Sequence, residues 1–168
     1  MKGKKLLLIA LAVVLVAAMA FVGWRLYEKH QRETLYRAIE AAWQESESPN
    51  APAYLQVIDR ETRFEVEKVE KGDPYVITVT VYGIDLGGRL RETDPASFPD
   101  TRDEEVLNEY LLNLLNDAAR TEVQTVIYAW PEGDGYRFRF SETFADAMTG
   151  MVYSYTRDLV NEMTGGAQ

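Results

Sequence analysis

The spacing of apolar residues divides the chain into one uninterrupted apolar run and a longer part with helical and strand-like patterns. Leu6 to Trp24 contains no charged residue, and three lysines precede it. As a helix, this run would extend about 28 Å, close to the thickness of a membrane's hydrocarbon core. We therefore predict residues 1–5 as a basic tail and residues 6–24 as a transmembrane anchor. Trp24 and Tyr27 would lie at the membrane interface.

The same run also has features of a cleavable signal peptide. Residues 6–16 have the length of its apolar region, and Ala18-Met19-Ala20 is a small-x-small cleavage pattern. Cleavage after Ala20 would secrete the domain. Apolar residues continue past that point, and no Pro or Gly interrupts the chain between Gly23 and Pro49. This favours an anchor that is kept and runs into the domain's first helix, with the domain on the extracytoplasmic side.

Residues 25–163 follow the pattern of a single domain built from helices and hairpins. Leu35, Ile39 and Trp43 recur at helical spacing, which predicts that the first helix continues to about Ser46. Two stretches of alternating residues predict β-hairpins. Their strands cover about residues 61–69, 75–82, 122–130 and 136–140.

Two further amphipathic helices are predicted in the same part of the chain. One begins at a capping box of Thr101 and Glu104 and ends near Ala119. The other begins after Ser141 as one continuous helix, and the segment from Gly83 to Pro99 is predicted to be irregular. Helices that cover one face of an antiparallel sheet make an α+β fold. Residues 164–168 form a flexible tail in this prediction.

Charge and cysteine content narrow the possible partners. The chain carries a net charge of −9, while residues 1–27 hold four basic residues and no acidic ones, so the domain itself is more acidic still. An acidic domain repels phosphate backbones, and we predict no nucleic-acid partner. The chain has no cysteine, which excludes disulfides and thiolate sites. An extracytoplasmic domain without disulfides suits a bacterium.

Candidate chemistry is sparse. The single histidine, His30, lies on the predicted first helix, and no spacing of residues indicates a nucleophile or a metal site. We therefore predict no catalytic residue, no metal and no cofactor. Asp85 ends an apolar strand, and aromatic residues on the hairpins could line a concave sheet face. The candidate ligand or partner surface comprises Trp43, Asp85, Tyr128, Trp130 and Tyr136. The alternatives are core packing for the aromatic residues and a solvated or capping role for Asp85.

Two segments carry a resemblance to known proteins. Val79-Thr-Val-Tyr-Gly-Ile-Asp85-Leu86 and Phe144-Ala-Asp-Ala-Met-Thr-Gly150, joined by a helix and a strand pair, resemble uncharacterised secreted or membrane-anchored proteins of Gram-positive gut bacteria. Those proteins are similar to NTF2-like and cystatin-like folds. The resemblance implies a helix packed on a curved antiparallel sheet over residues 30–163. It implies little about activity, because such folds host enzymes as well as binding modules.

Three hypotheses for function follow. The first is a membrane-anchored extracytoplasmic module that binds a protein or a small molecule or supports an assembly. The second is a small hydrolase or isomerase that uses carboxylates in an NTF2-like cavity. The third is a cystatin-like inhibitor or a chaperone-like module. A deep pocket with facing carboxylates would favour the enzyme, whereas an exposed apolar strip or open sheet edge would favour the binding module.

Overall fold

The computed structural model describes the backbone of residues 2–46, 51–100 and 102–164, and the side chains of these ranges from residue 17 onward. Helical segments alternate with β-hairpins along the chain, and the two hairpins form one sheet. The elements are α1 Lys2–Ser46, α2 Ala53–Glu61, β1 Arg63–Glu70, β2 Tyr75–Ile84, α3 Leu86–Glu92, the 3-10 turn Pro95–Ser97, α4 Glu104–Asn116, β3 Arg120–Glu132, β4 Gly135–Phe140, α5 Glu142–Met148 and α6 Val152–Met163.

The sheet has four strands in the order β1-β2-β3-β4, and every neighbouring pair is antiparallel. The central pair is the longest, with Tyr75 opposite Ala129 at one end and Ile84 opposite Arg120 at the other. β-branched and aromatic residues fill β2, which suits a strand buried between two neighbours. The predicted α+β class and its two hairpins are therefore confirmed.

Helices α1 and α5 cover one face of the sheet, which we call the inner face. Leu35 and Ile39 of α1 and Phe144 of α5 are fully buried there against Ile77 and Ile127. The side chains that alternate with these along the strands point away from the helices. The opposite, outer face carries Val76, Thr78, Thr80, Val126, Tyr128 and Trp130. None of these six belongs to a hydrophobic core cluster.

A second apolar cluster lies beyond the carboxyl end of β2. Its buried members are Ile58 of α2, Ile84 of β2, Leu86 and Leu90 of α3, and Leu115 of α4. Residues of α6 pack against it from one side. The helices that sequence patterns assign to one sheet face therefore divide between two cores, one on the sheet and one past its end.

The predicted transmembrane anchor is corrected by the structure. Over the residues whose side chains are described, no helix is both long enough and apolar enough to cross a membrane. Only residues 17–24 of the predicted anchor fall in this part. They extend about 12 Å as a helix, against a hydrocarbon core of about 30 Å. Residues 1–16, with the rest of the predicted anchor, lie outside the described side chains.

The interfacial role predicted for Trp24 and Tyr27 stays a prediction. Both side chains are exposed on α1, at 63% and 57% of their full surface. The ring of Tyr27 faces the ammonium of Lys71, 5.5 Å away, in the turn between β1 and β2. α1 is a continuous helix to Ser46, as predicted. The predicted cleavage after Ala20 and the extracytoplasmic location stay predictions.

Four local features of the structure differ from the prediction. The segment predicted as irregular forms α3 and a 3-10 turn, and a helix, α2, begins at Ala53 where none was predicted. The final helix is two helices, because Gly150 and Met151 adopt positive φ angles of 69° and 61°. Asp103 caps α4 by accepting from the Glu105 N–H at 3.0 Å, whereas the predicted cap Thr101 lies outside the described residues. Of the predicted tail, residues 165–168 also lie outside them.

Candidate functional site

The five residues predicted as one ligand surface lie in three different places. Trp43 and Tyr136 lie on the inner face. Trp43 packs edge-on against Phe140 and Phe144, with ring centroids 5.5 Å and 5.4 Å apart. Tyr136 packs beside Phe138, with ring centroids 5.9 Å apart. Both residues pack against the hydrophobic core on the sheet. For these two, the alternative of core packing describes the structure better than a ligand surface.

Tyr128 and Trp130 lie together on the outer face. They occupy alternate positions of β3, directly opposite Arg139 and Arg137 of β4. The guanidinium of Arg137 lies 5.1 Å from the centre of the Trp130 ring, within cation–π range. These two aromatic residues are therefore the only pair of the predicted surface that shares a face away from the cores.

Asp85 has a local structural role at the start of α3. Its Oδ1 accepts a hydrogen bond from the Gly88 N–H at 2.6 Å, and its own N–H donates to the Ala119 carbonyl at 2.8 Å. This is the N-cap arrangement, in which a side chain satisfies an N–H that the first turn leaves without a partner. A Cβ at Gly88 would lie 2.4 Å from the Asp85 Oδ2, so the glycine is part of the same cap.

A cleft that the sequence does not reveal lies between α3, the 3-10 turn and α6. Its volume is about 660 Å³. Its apolar wall is Leu90, Phe98, Tyr155 and Leu159. A smaller cavity of about 220 Å³ adjoins it and shares Leu90, Phe98 and Tyr155. The first volume falls in the usual range of ligand sites, about 300–1,000 Å³.

The cleft opens beyond the point where the start of α3 and the residues that lead into α6 meet backbone to backbone. The Gly87 N–H donates to the Gly150 carbonyl at 2.9 Å. A Cβ at Gly87 would lie 2.0 Å from the Met151 carbonyl oxygen, so no larger residue fits at this contact. Buried Asp146 fixes the start of α6, since its Oδ1 accepts from the Ser154 N–H at 2.9 Å. Further along the two helices, the cleft separates the end of α6 from the 3-10 turn.

The polar groups of the cleft are mostly paired with one another. Arg91 donates to the Asp158 carboxylate at 2.8 Å and to the Ser154 hydroxyl at 3.2 Å. Its guanidinium also lies 6.0 Å from the Tyr155 ring. Glu162 lies in the same lining and has no ion pair among the described residues. The cleft therefore offers one carboxylate free to meet a cation.

Burial changes the pKa of one tyrosine in the adjoining cavity. Tyr54 of α2 lines this cavity, and burial raises the pKa of its phenol above 10.0, because the charged phenolate loses hydration there. Outside this cavity, Glu61 accepts a hydrogen bond from Arg120. This bond and the positive charge of Arg120 lower the pKa of the Glu61 carboxyl below 4.5. Both side chains of this ion pair are exposed, so it adds little to stability.

The remaining chemistry-bearing residues form no further site in the part of the chain that the structure describes. The only histidine, His30, is exposed on α1. No group of three acidic or histidine side chains among the described residues is placed to hold a metal ion. The carboxylates nearest the cleft, Asp158 and Glu162, are one turn apart on α6 and project from the same wall.

Three local signals in the sequence mark ends of the helical elements around the cleft, but not the cleft itself. Asp85 precedes Gly88 at N-cap spacing, and Asp94 precedes a proline that begins the 3-10 turn. Thr149-Gly150 marks the end of α5. The first two signals lie in the segment predicted to be irregular, and the third lies inside the helix predicted to be continuous. The approach of α3 to α6 has no local signal at all.

No protein-family model, no curated protein and no solved structure matches this chain. The resemblance to NTF2-like and cystatin-like proteins therefore stays a prediction.

Proposed function

We propose that this domain is a non-catalytic binding module, and that its cleft takes an apolar side chain of a partner protein with a basic residue nearby. The observation that carries the proposal is the wall of Leu90, Phe98, Tyr155 and Leu159, which leaves apolar surface open to solvent in a cleft of about 660 Å³. Exposed apolar surface of this kind is typical of interaction sites.

The charges of the lining support a basic rather than an acidic partner. Arg91 is neutralised by Asp158 at 2.8 Å, while Glu162 has no ion pair among the described residues. A lysine or arginine on the partner would meet Glu162, whereas an acidic side chain would be repelled by it. The net charge of −9 steers cations toward the domain as a whole.

A hydrolase that uses paired carboxylates is the weaker alternative. Such enzymes place two carboxyl groups on either side of the scissile bond, about 5–9.5 Å apart. Here both carboxylates of the lining, Asp158 and Glu162, belong to one helix. The facing wall supplies Thr93, Pro95 and Phe98 instead. This arrangement favours binding over hydrolysis.

Peptide selection with the full-length chain tests the proposal. A displayed library of random peptides is enriched on the immobilised protein, and the enriched peptides are titrated by fluorescence anisotropy. We expect them to share a large apolar residue with a Lys or Arg about one helical turn away. Replacing that basic residue by Gln should weaken binding to the natural chain and have no effect on binding to Glu162→Gln.

Two neighbouring positions of α6 supply the matched pair of variants. Leu159 lines the cleft and is 41% exposed, whereas Val160 is 51% exposed and does not line it. Burial of a leucine-sized group contributes about 1.5–3 kcal/mol, so Leu159→Asp should weaken binding about tenfold to a hundredfold. Val160→Asp should leave binding unchanged. Equal losses in both variants, or enrichment of acidic peptides, would contradict the proposal.

A further inference from the structure

The two outermost strands of the sheet carry complementary side chains. β1 and β4 are the edges, and the outward-facing backbone groups of each have no strand partner among the described residues. Such edges are templates for pairing with another strand. What each edge accepts depends on the side chains beside it.

The β4 edge is basic on the outer face and aromatic on the inner face. Arg137 and Arg139 are exposed two residues apart, and neither makes an ion pair among the described residues. No acidic residue interrupts β4, which runs from Gly135 to Phe140. On the inner face its side chains are Tyr136, Phe138 and Phe140, all only partly buried at the margin of the sheet core.

The β1 edge has the opposite charge and the same apolar alternation. Glu65 and Glu67 are exposed near each other on this edge, and neither has an ion pair in the described part of the chain. Phe64 and Val66 alternate with them toward the inner face. Lys68 pairs with Glu70. The guanidinium of Arg63 lies 5.2 Å from the Tyr82 ring, so two glutamates and one arginine without an ion pair leave this edge acidic.

From this complementarity we infer that copies of this chain associate edge to edge, with β1 of one copy beside β4 of the next. β1 and β4 run in opposite directions, because the sheet has four strands and every pair is antiparallel. A second copy that continues the sheet therefore places its β1 antiparallel to β4 of the first copy. The outer faces of the two copies then lie on the same side of the extended sheet. Opposite charges then meet across the new strand pair, which is the stabilising arrangement.

The same charges disfavour the other pairings of the two edges. Two β4 strands side by side would bring four arginines together, and two β1 strands would bring four glutamates together with only two arginines, Arg63 of each copy. Like charges directly opposite each other destabilise a strand pair. A shift of register between Val66 and Lys68 interrupts β1, and Glu67 lies at this shift. An assembly of any length still has one free β1 edge and one free β4 edge. Copies therefore continue to add unless the two ends meet and close a ring.

Sedimentation velocity of the full-length chain over a range of concentrations tests the inference. Natural chain should show association that increases with concentration. Arg137→Glu with Arg139→Glu makes both edges acidic, and Glu65→Arg with Glu67→Arg makes both edges basic. Each double variant alone should associate about tenfold more weakly or not at all. An equimolar mixture of the two should recover association, because acidic edges then meet basic ones.

The control reverses two charges away from the sheet edges. Glu45 is exposed on α1 and Glu109 on α4, so Glu45→Arg with Glu109→Arg changes net charge as much as the β1 variant does. It should associate like the natural chain, and circular dichroism should show that all variants keep their fold. A natural chain that stays monomeric would overturn the inference. So would association that persists in both edge variants, as contact through the exposed apolar residues of α1 would produce.

Discussion

Gly87 is the position where one methyl group should disturb the fold most. It lies on α3 where that helix meets the start of α6, and its N–H donates to the Gly150 carbonyl at 2.9 Å. A Cβ there would lie 2.0 Å from the carbonyl oxygen of Met151 and 2.6 Å from its carbonyl carbon. Both are backbone atoms, so no rotation of a side chain can relieve the overlap. Gly87→Ala must therefore push the two helices apart.

Two opposing effects set the size of the change. Alanine favours a helix over glycine by about 1 kcal/mol, which would stabilise α3 by itself. Against this, overpacking costs about 1–3 kcal/mol, and the lost hydrogen bond to Gly150 costs about 0.5–1.5 kcal/mol. The steric effect dominates because the overlap is with backbone. We expect Gly87→Ala to lower the free energy of unfolding by about 1–3 kcal/mol.

Urea unfolding followed by circular dichroism measures this difference. Gly23→Ala is the control, because a Cβ at Gly23 on α1 meets no atom within 4 Å. That variant should be as stable as the natural chain or slightly more so. The midpoint of Gly87→Ala should fall with little change in slope, as for a two-state loss of stability. A Gly87→Ala protein as stable as the control would refute the close helix contact and, with it, the origin of the cleft.

Two further predictions concern Asp85 and Tyr54. Asp85→Ala removes the N-cap of α3, so urea unfolding should show a loss of stability of about 0.5–2 kcal/mol. Asp85→Asn should cost much less, because an amide oxygen caps a helix equally well. Burial raises the pKa of Tyr54 above 10.0, so the folded state holds this proton more tightly than the unfolded state does. Its contribution is fully present below pH 10.0 and is lost as pH rises through the folded-state pKa. When unfolding is measured at increasing pH above 10.0, Tyr54→Phe should therefore lose less stability than the natural chain. Equal losses in both proteins would contradict the raised pKa of Tyr54.

Sequence patterns predict the elements whose burial follows from their own periodicity. Leu35 and Ile39 are four residues apart on α1, and both are fully buried as the helical stripe requires. Alternation along β2 likewise predicts a strand, and Ile77, Val79 and Val81 are fully buried. In these elements the local preference and the tertiary contact agree, so the pattern is sufficient.

The cleft could not be predicted because tertiary contacts override the local signals there. Gly87 and Gly88 disfavour a helix by propensity, yet α3 needs both, one against the α6 backbone and one against the cap of Asp85. Apolar residues also continue through Met151, whose positive φ angle divides α5 from α6. A final helix without this break would continue the apolar stripe to Leu159, but after the break Leu159 is 41% exposed in the cleft.

The two proposed surfaces lie on different parts of the domain and share no residue. The cleft is formed by α3, the 3-10 turn and α6, beyond the carboxyl end of β2, whereas the edges consist of β1 and β4. Charge reversal at Arg137 and Arg139 should therefore abolish association and leave peptide binding unchanged, because neither residue contacts the cleft lining. Leu159→Asp should do the opposite. If the cleft of each copy stays open in an assembly joined by its edges, then assembly multiplies the number of cleft sites available to one partner. A partner with several basic, apolar segments would consequently bind an assembly more tightly than a single copy, through effective concentration alone.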